Sequence, residues 1–540
     1  MTDNCKLATE GRDIMKVLIC DNLQKAGVDQ FKGKGSVKAD VVSAMTPAEL
    51  KGKIARYDGI IVRSATKITA DVLKSAQRLK VIGRAGIGLD NIDVSAASRK
   101  GVVVMNTPGA NAITTAEHSI SLLLALSRHI PQATASLKAG KWEKKKFMGV
   151  EIFNQTLGII GFGNIGQVVA DRAQGLKMKV IVYDPFLSKE TMAKMGVEKV
   201  TLDQLFKLSD NITIHTPLNK DTDNLLDKEA FQKMKKGVRI INCARGGIVN
   251  EKDLYTAIRQ GKVAGAALDV FENEPPGENP LFGLDEVIGT PHLGASTSQA
   301  QSRVAEVIAK QIKEYLEQGV IKNAVNVPSV SPEIVDQVKP YLTLAEKMGS
   351  FQSQILAGSI KQVTIEYSGE IAGHDLAPLT VSLLKGILES ALPDVVNYVN
   401  APLLAKERGI RVREVKTSDT EGFTSLITLK TKSRAGEHSI AGTLFGKGDP
   451  RIVRVDNFYT EAIPEGNILL MHNYDKPGVI GTIGKALGGK GINIAKMHLS
   501  RQKVGDVAIS LIHVDEPVSE GVLKKINKLP NIISVKHISL

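Results

Sequence analysis

From Met15 to about Pro328 the chain alternates short β-branched runs with helical periodicities. Lys16-Val-Leu-Ile-Cys20, Gly59-Ile-Ile-Val-Arg63, Lys80-Val-Ile-Gly83, Val102-Val-Val-Met-Asn106 and Thr156 to Gly161 read as strands with helices between them. That spacing implies parallel sheets built from βαβ units. Between Ala112 and Ile130 runs a long apolar helix, Ala116-Glu-His-Ser-Ile-Ser-Leu-Leu-Leu-Ala-Leu126, expected to lie buried between two lobes. After Pro328 the texture changes: residues 329–460 mix helices (Leu342 to Ala357, Leu376 to Ala391) with alternating strands such as Phe423-Thr-Ser-Leu-Ile-Thr-Leu429. From about Gly466 to Leu540 the order is strand, helix, strand, strand, helix, strand, a ferredoxin-like split βαβ arrangement.

Composition narrows this picture. A chain of 540 residues, 43% hydrophobic and 24% charged, is long enough for three or four domains. The N-terminus, Met1 to Asp13, is polar and lacks the apolar stretch of a signal peptide, and a cytoplasmic protein is expected. Cys5, Cys20 and Cys243 are too few and too scattered for a disulfide framework, and no metal site is expected. The net charge of +13 permits nucleic-acid binding, but there is no helix-turn-helix pattern and only 4% aromatic residues for base stacking. A basic surface that draws in small anions fits better.

The strongest local signal is Gly161-Phe-Gly163-Asn-Ile-Gly166. It follows an apolar strand and opens an amphipathic helix, the context that turns a weak GxGxxG match into a dinucleotide fingerprint. Gly161 allows the tight turn, Gly163 lets the backbone approach a pyrophosphate, and Gly166 lets helix and strand pack closely. Lys179-Val-Ile-Val-Tyr-Asp184 ends in an acid placed for the ribose hydroxyls of NAD; its charge repels a 2′-phosphate, and NAD is expected over NADP. The expected fold class is α/β: two Rossmann-like lobes with parallel sheets, then an α+β module and the ferredoxin-like domain.

Hydride transfer from an alcohol needs a base, a group that tunes the base, and a cation for an anionic substrate. His292, in Thr290-Pro-His292-Leu, is a candidate base. Glu274, in Phe271-Glu-Asn-Glu274-Pro-Pro, can orient the imidazole and raise its pKa. Arg245, closing Ile240-Ile-Asn-Cys-Ala-Arg245-Gly-Gly247, can pair bidentately with a carboxylate, with Gly246 and Gly247 keeping side chains away from substrate and nicotinamide. Each has a bland reading alone: a loop cap, a solvated acid, a surface ion pair. Together, at strand ends behind a dinucleotide fingerprint, they point to an active site.

These motifs, with Asn242-Cys-Ala-Arg245-Gly-Gly and Ala267-Leu-Asp269-Val-Phe-Glu-Asn-Glu274-Pro, resemble those of the D-isomer-specific 2-hydroxyacid dehydrogenase family. Val62-Arg63-Ser-Ala-Thr66, Gly83-Arg84-Ala-Gly-Ile-Gly-Leu-Asp-Asn91 and Asn106-Thr-Pro-Gly-Ala-Asn111 resemble the substrate lobe of its members acting on 3-phosphoglycerate. The resemblance implies oxidation of 3-phosphoglycerate to 3-phosphohydroxypyruvate with NAD, the first step of serine synthesis. It implies His292 as acid/base, Glu274 as its holder and Arg245 as the carboxylate's cation. Arg63, Arg84 and Asn111 become substrate contacts. Asn164, Ile165, Thr216, Pro217, Ala244 and Asp269 join Gly161, Gly163, Gly166, Asp184 and His292 around the cofactor. It also implies a discontinuous substrate lobe (15–112 and 295–328), a nucleotide lobe (113–294), an intervening regulatory domain (329–460) and a final domain (466–540). Trp142, in Gly140-Lys-Trp-Glu-Lys-Lys-Lys146, lies in a loop expected to reach a partner subunit, giving a homodimer or homotetramer.

Asn473-Tyr-Asp475-Lys-Pro-Gly478-Val-Ile and Gly491-Ile-Asn493-Ile resemble an ACT domain, a small amino-acid sensor that pairs with its copy. L-serine is the implied effector, with Asn473, Asp475 and Asn493 as its contacts; a purely dimerising domain stays open. Lys447, Arg451 and Arg454 are cations of the intervening region. Two other functions stay open as well: a dehydrogenase of another 2-hydroxyacid, and an NAD-sensing scaffold that binds partner proteins.

Overall fold

The computed structural model describes residues 14–33, 35–328, 335–356, 358–389, 392, 396–434, 436–446 and 448–540. Cys5, Lys447, and the helix ends expected at Ala357 and Ala391 lie outside the described residues.

Strands β1 (Met15–Ile19), β2 (Val37–Val41), β3 (Gly59–Val62), β4 (Val81–Arg84) and β5 (Val103–Met105) form a parallel sheet in the order β2-β1-β3-β4-β5. A second parallel sheet contains β6 (Thr156–Ile160), β7 (Lys179–Tyr183), β8 (Glu198–Lys199), β9 (Asn211–Ile214), β10 (Val238–Asn242), β11 (Val263–Leu268) and β12 (Val287–Gly289). Its order is β12-β11-β10-β9-β6-β7-β8, so the winding reverses between β6 and β9. Every residue of β3 and β9 is buried, because helices cover both faces and each strand must be apolar throughout. Ligands of such sheets bind beyond the carboxyl ends, where the winding reverses.

The chain leaves the first sheet through the helix Ala112–Ser127 and returns through Ser298–Gln318. Val304, Ala305, Ile308 and Ile312 of the returning helix are buried against Val17, Ile61, Val81 and Val103 of the first sheet. Gly83 makes that packing possible, since a Cβ there would lie 2.8 Å from Ile308. The helix Ala112–Ser127 does not lie between the lobes. Its Ala116, Leu122, Leu123 and Leu126 share a core with Leu157, Ile159 and Val169, so its apolar stripe lies on the second sheet. Only its N-terminus reaches the lobe junction. There Asn111 stands at the cap, making no side-chain capping bond.

Beyond the lobes, a six-stranded mixed sheet spans Ile360–Gly369 to Phe458–Ala462. The last strands, Asn467–Tyr474, Ile494–Arg501, Val507–Val514 and Ile532–Ser539, form an antiparallel sheet with the helices Val479–Gly488 and Glu520–Ile526. These helices cover one face, with Leu469, Ile483, Leu487 and Ile526 in the core. The other face, through Ile468, Leu470, Ile509 and Leu511, shares a core with Val363, Ile365 and Leu429 of the six-stranded module. Gln354 locks the two together: its Nε2 donates to Ser539 O (2.9 Å) and its Oε1 accepts from Ser539 N (3.0 Å). Asn397 Nδ2 donates to Gly101 O (2.8 Å), tying the module to the first lobe.

Candidate active site

At the carboxyl end of β6 the chain turns sharply. Gly161 has φ of +91°, and a Cβ on it would sit 2.6 Å from the His215 carbonyl oxygen. A Cβ on Gly166 would sit 2.2 Å from the Gly161 carbonyl oxygen. Both positions therefore exclude any larger residue on packing grounds. Gly163 differs: nothing lies within 4 Å of its missing Cβ, so the space above this amide is open to a ligand. The helix Asn164–Gly175 starts there, with Asn164 and Ile165 in its first turn and its free amides facing that space. Asp184 is buried at the end of β7, where Oδ2 accepts from Phe162 N and Oδ1 from Phe186 N, both 2.8 Å. These bonds fix the carboxylate beside the turn, and each oxygen keeps a lone pair for a ribose hydroxyl. Thr216 Oγ1, after β9, is a buried hydroxyl without a protein hydrogen-bond partner, and Pro217 O accepts from Thr222 Oγ1 (2.7 Å). Open turn, helix N-terminus, anchored acid and orphaned hydroxyl together fit a dinucleotide with an unmodified ribose.

A cleft of about 730 Å³ separates the lobes, lined by Arg63, Arg84, Asn111, Arg245, Glu274 and His292. The last three come from loops after β10, β11 and β12. His292 Nδ1 and Glu274 Oε2 are 2.7 Å apart, which leaves the other imidazole nitrogen available to a substrate. His292 sits at φ +55°, a left-handed conformation in which its amide donates to Asp269 O (2.9 Å). Asp269 braces that loop from below. Its carboxylate accepts from Leu293 N (2.7 Å), Gly294 N (2.8 Å) and Thr290 Oγ1 (2.6 Å) and pairs with His118 Nε2 at 3.2 Å. Burial opposes its charge, but these bonds outweigh burial and hold the carboxyl below the usual carboxylate range. Asp269, expected at the cofactor, is 1% exposed, and what it visibly holds is the His292 loop.

Arg245 is pinned through its main chain: Asn242 Nδ2 donates to Arg245 O (2.9 Å) and Asn242 Oδ1 accepts from Ala244 N (3.0 Å). Its Nη1 donates to Ala244 O (2.7 Å), which aims the guanidinium across the cleft. Gly246 serves packing rather than access, since a Cβ there would lie 1.8 Å from the Phe271 carbonyl oxygen. Gly247, at φ +80°, faces Leu218. From the first lobe, Arg84 turns its Nη1 onto Ala85 O (2.8 Å), and its Nε makes no hydrogen bond. Burial, and then the neighbouring Arg245, pushes its guanidinium down to about 10. The Arg63 loop is held by Asp21, whose Oδ2 accepts from Arg63 N (2.7 Å) and Thr66 N (3.1 Å). Asn111 Oδ1 is buried without a partner at the cleft edge.

Several cleft residues were not singled out by motif. Lys67 adds a cation four residues after Arg63, and Asp90 adds a carboxylate. Neither stands out along the chain; the fold brings both into the cleft and sets Asp90 against Arg245.

The three residues expected at an effector are not brought together within one chain. Asp475 follows Tyr474, which pairs with Val507, whereas Asn493 precedes Ile494, which pairs with Val514 at the far end of that strand. At ~3.3 Å per residue the two ends are roughly 20 Å apart. Asp475 already accepts from Gly505 N (3.0 Å) and Arg501 Nη1 (2.6 Å), which lower its pKa in that order. Asn493 Nδ2 donates to Asp515 (2.8 Å), and Asn473 is buried with its Oδ1 unpartnered. Of the intervening cations, Arg454 is paired with Glu421, and Arg451 donates to Pro450 O (2.9 Å).

The family model for the NAD-binding domain of D-isomer specific 2-hydroxyacid dehydrogenases matches residues 120–294. The D-3-phosphoglycerate dehydrogenase intervening domain matches 337–456, and the ACT domain 467–531. A D-3-phosphoglycerate dehydrogenase of Archaeoglobus fulgidus is 44% identical over 529 residues, covering 97% of this chain and 100% of the relative. One from Methanocaldococcus jannaschii is 44% identical over 528 residues, covering 98% and 100%. Among solved structures, the TT0316 protein of Thermus thermophilus superposes with a TM-score of 0.53 at 33% identity, covering 58% of this chain and 100% of that one. With an arginine, a glutamate and a histidine brought into one cleft by loops of the same sheet that carries the dinucleotide turn, the chain belongs to the D-3-phosphoglycerate dehydrogenases of the D-isomer-specific 2-hydroxyacid dehydrogenase family.

Proposed function

We infer that the chain is an NAD-dependent oxidoreductase that converts 3-phospho-D-glycerate to 3-phosphohydroxypyruvate, the first step of L-serine synthesis. The observation that carries this reading is the His292–Glu274 pair at 2.7 Å in a cleft shared with Arg245 and the first-lobe cations Arg63, Lys67 and Arg84. His292 takes the proton of the substrate hydroxyl as the C–H hydride leaves. Glu274 fixes the imidazole orientation and stabilises the imidazolium that forms. Arg245 receives the carboxylate through its planar fork. Arg63, Arg84 and Lys67 receive the phosphate, and Asn111 offers an acceptor to the same ligand. NAD, when bound, supplies the nicotinamide carbon that accepts the hydride. The open amide at Gly163 and the free amides of the helix start at Asn164 and Ile165 would hold its pyrophosphate, with Gly161 and Gly166 shaping the turn. Asp184 would hold its ribose, Thr216, Pro217 and Ala244 would border it, and Asp269 would act on it through the His292 loop that it braces. The test is consumption of NADH, read by its absorbance. Rapid loss is expected with 3-phosphohydroxypyruvate and little with pyruvate or glyoxylate; equal rates on all three overturn the substrate assignment, and no turnover on any of them overturns the enzyme reading.

L-serine is the proposed effector of the C-terminal domain. Because Asn473 and Asp475 lie far from Asn493 in one chain, the site takes its two halves from two copies, paired across the ACT sheets. L-serine is expected to lower the rate, and Asn493→Ala to abolish that response; a variant as sensitive as the parent refutes the site. A homodimer is further supported by the helix Ile130–Lys138 and the loop behind it, which leave Ile130 (50%), Leu137 (59%), Trp142 (82%) and Met148 (81%) exposed. The cytoplasm is the proposed location, where the substrate and NAD would meet the enzyme; no described helix is long and apolar enough to cross a membrane.

A further inference from the structure

The cleft gathers four cations, Arg63, Lys67, Arg84 and Arg245, and a single carboxylate from the same lobe as the first three, that of Asp90. Asp90 Oδ2 lies 3.3 Å from Arg245 Nε, an ion pair that joins the first lobe to the second. The guanidinium lies close against the loop that carries Asp90: a Cβ on Gly88 would be 2.0 Å from Arg245 Nη2 and 2.9 Å from Asp90 Oδ2. This glycine is what allows the approach. The loop itself is anchored, because Asn91 Nδ2 donates to Arg63 O (2.8 Å) and Thr66 O (2.7 Å), and Ile92 N donates to Leu89 O (2.8 Å). Asp90 therefore stands at a fixed place facing Arg245. It also bears on Arg84, whose charge it favours while Arg245 opposes it. Its carboxylate is 76% exposed, whereas Arg245 is only 29% exposed, so an incoming anion can take its place.

We propose that Asp90 is a resident counter-ion of Arg245 that the substrate carboxylate displaces, so that this residue sets substrate affinity and holds the lobes in register before substrate arrives. The inference rests on the assignment of Arg245 to the substrate carboxylate. It makes Asp90 a positioning residue, acting through Arg245. An exposed ion pair contributes roughly 0.2–1 kcal/mol. Its removal as a competitor should lower KM by about one and a half- to fivefold at ~1.4 kcal/mol per tenfold.

The experiment compares Asp90→Asn and Asp90→Glu with the parent on 3-phosphohydroxypyruvate, with NADH binding by fluorescence as the check of folding. Asp90→Asn is expected to lower KM while kcat stays within about twofold, and Asp90→Glu to keep the parent KM because the competing charge is retained. A KM for Asp90→Asn equal to or above the parent's, in protein that binds NADH normally, overturns the proposal. So does an equal fall in both variants, which assigns the effect to loop geometry instead of charge. If Asp90→Asn does not bind NADH, Asp90→Ser carries the same comparison. If the parent prefers a different 2-oxoacid, the function reading fails on its own, and the KM test transfers to that acid, because the carboxylate facing Arg245 is common to the class.

Discussion

Replacement of His292 by alanine is expected to cut turnover roughly 10²–10⁴-fold, the usual contribution of a positioned acid/base, while NADH binding is kept. The reason for the split lies in how the loop is held. Asp269 grips it through the amides of Leu293 and Gly294 and through the Thr290 hydroxyl, and the His292 amide donates to a main-chain carbonyl. None of these bonds uses the imidazole, so removing the ring leaves the scaffold in place. The position at φ +55° disfavours alanine by about 1–2 kcal/mol, a strain that asparagine tolerates better. His292→Asn is therefore the companion variant. Steady-state rates and NADH fluorescence titrations on both check the prediction; loss of NADH binding in both would mean that the ring is structural.

Arg245→Lys, the second large effect, keeps the charge and removes the fork. Arg245 lies at the end of a buried strand, fixed by Asn242, with Nη1 committed to Ala244 O. Its remaining donors point into the cleft toward Asp90 and, in the proposed reading, the substrate. A lysine ammonium cannot hold Ala244 O and offer two parallel donors at once. Each charge-assisted bond lost is worth roughly 1.5–3 kcal/mol, so kcat/KM should drop about ten- to a hundredfold per bond. Kinetics on 3-phosphohydroxypyruvate check it, and a lysine variant within threefold of the parent would show that only a point charge is needed.

Much of this site could be read along the chain because its determinants are local. A strand buried on both faces must be apolar throughout, as in Gly59–Val62 and Asn211–Ile214, and the glycine turn at 161–166 is fixed by steric clashes within a few residues. Arg245, Glu274 and His292 were recognisable because polar residues at the ends of such strands stand out against their apolar neighbours. Gly246 shows where local reasoning fails: its cause is the Phe271 carbonyl, on a different strand's loop, and no pattern around residue 246 reports it. The helix Ala112–Ser127 fails likewise. Its apolar stripe showed that it is buried but not against which sheet, because a hydrophobic face is non-directional and fits any partner of similar shape.

Residue order along the chain was therefore enough for the parallel α/β lobes, the dinucleotide turn and the strand-end trio, each set by backbone sterics and periodicity over short spans. Only the folded chain pairs Asp90 with Arg245 across the lobes, lays the returning helix Ser298–Gln318 on the first sheet, and separates Asn493 from Asp475. Those are contacts between distant segments. Their geometry follows from how closed cores pack against one another, a property of the whole molecule that no short stretch of it encodes.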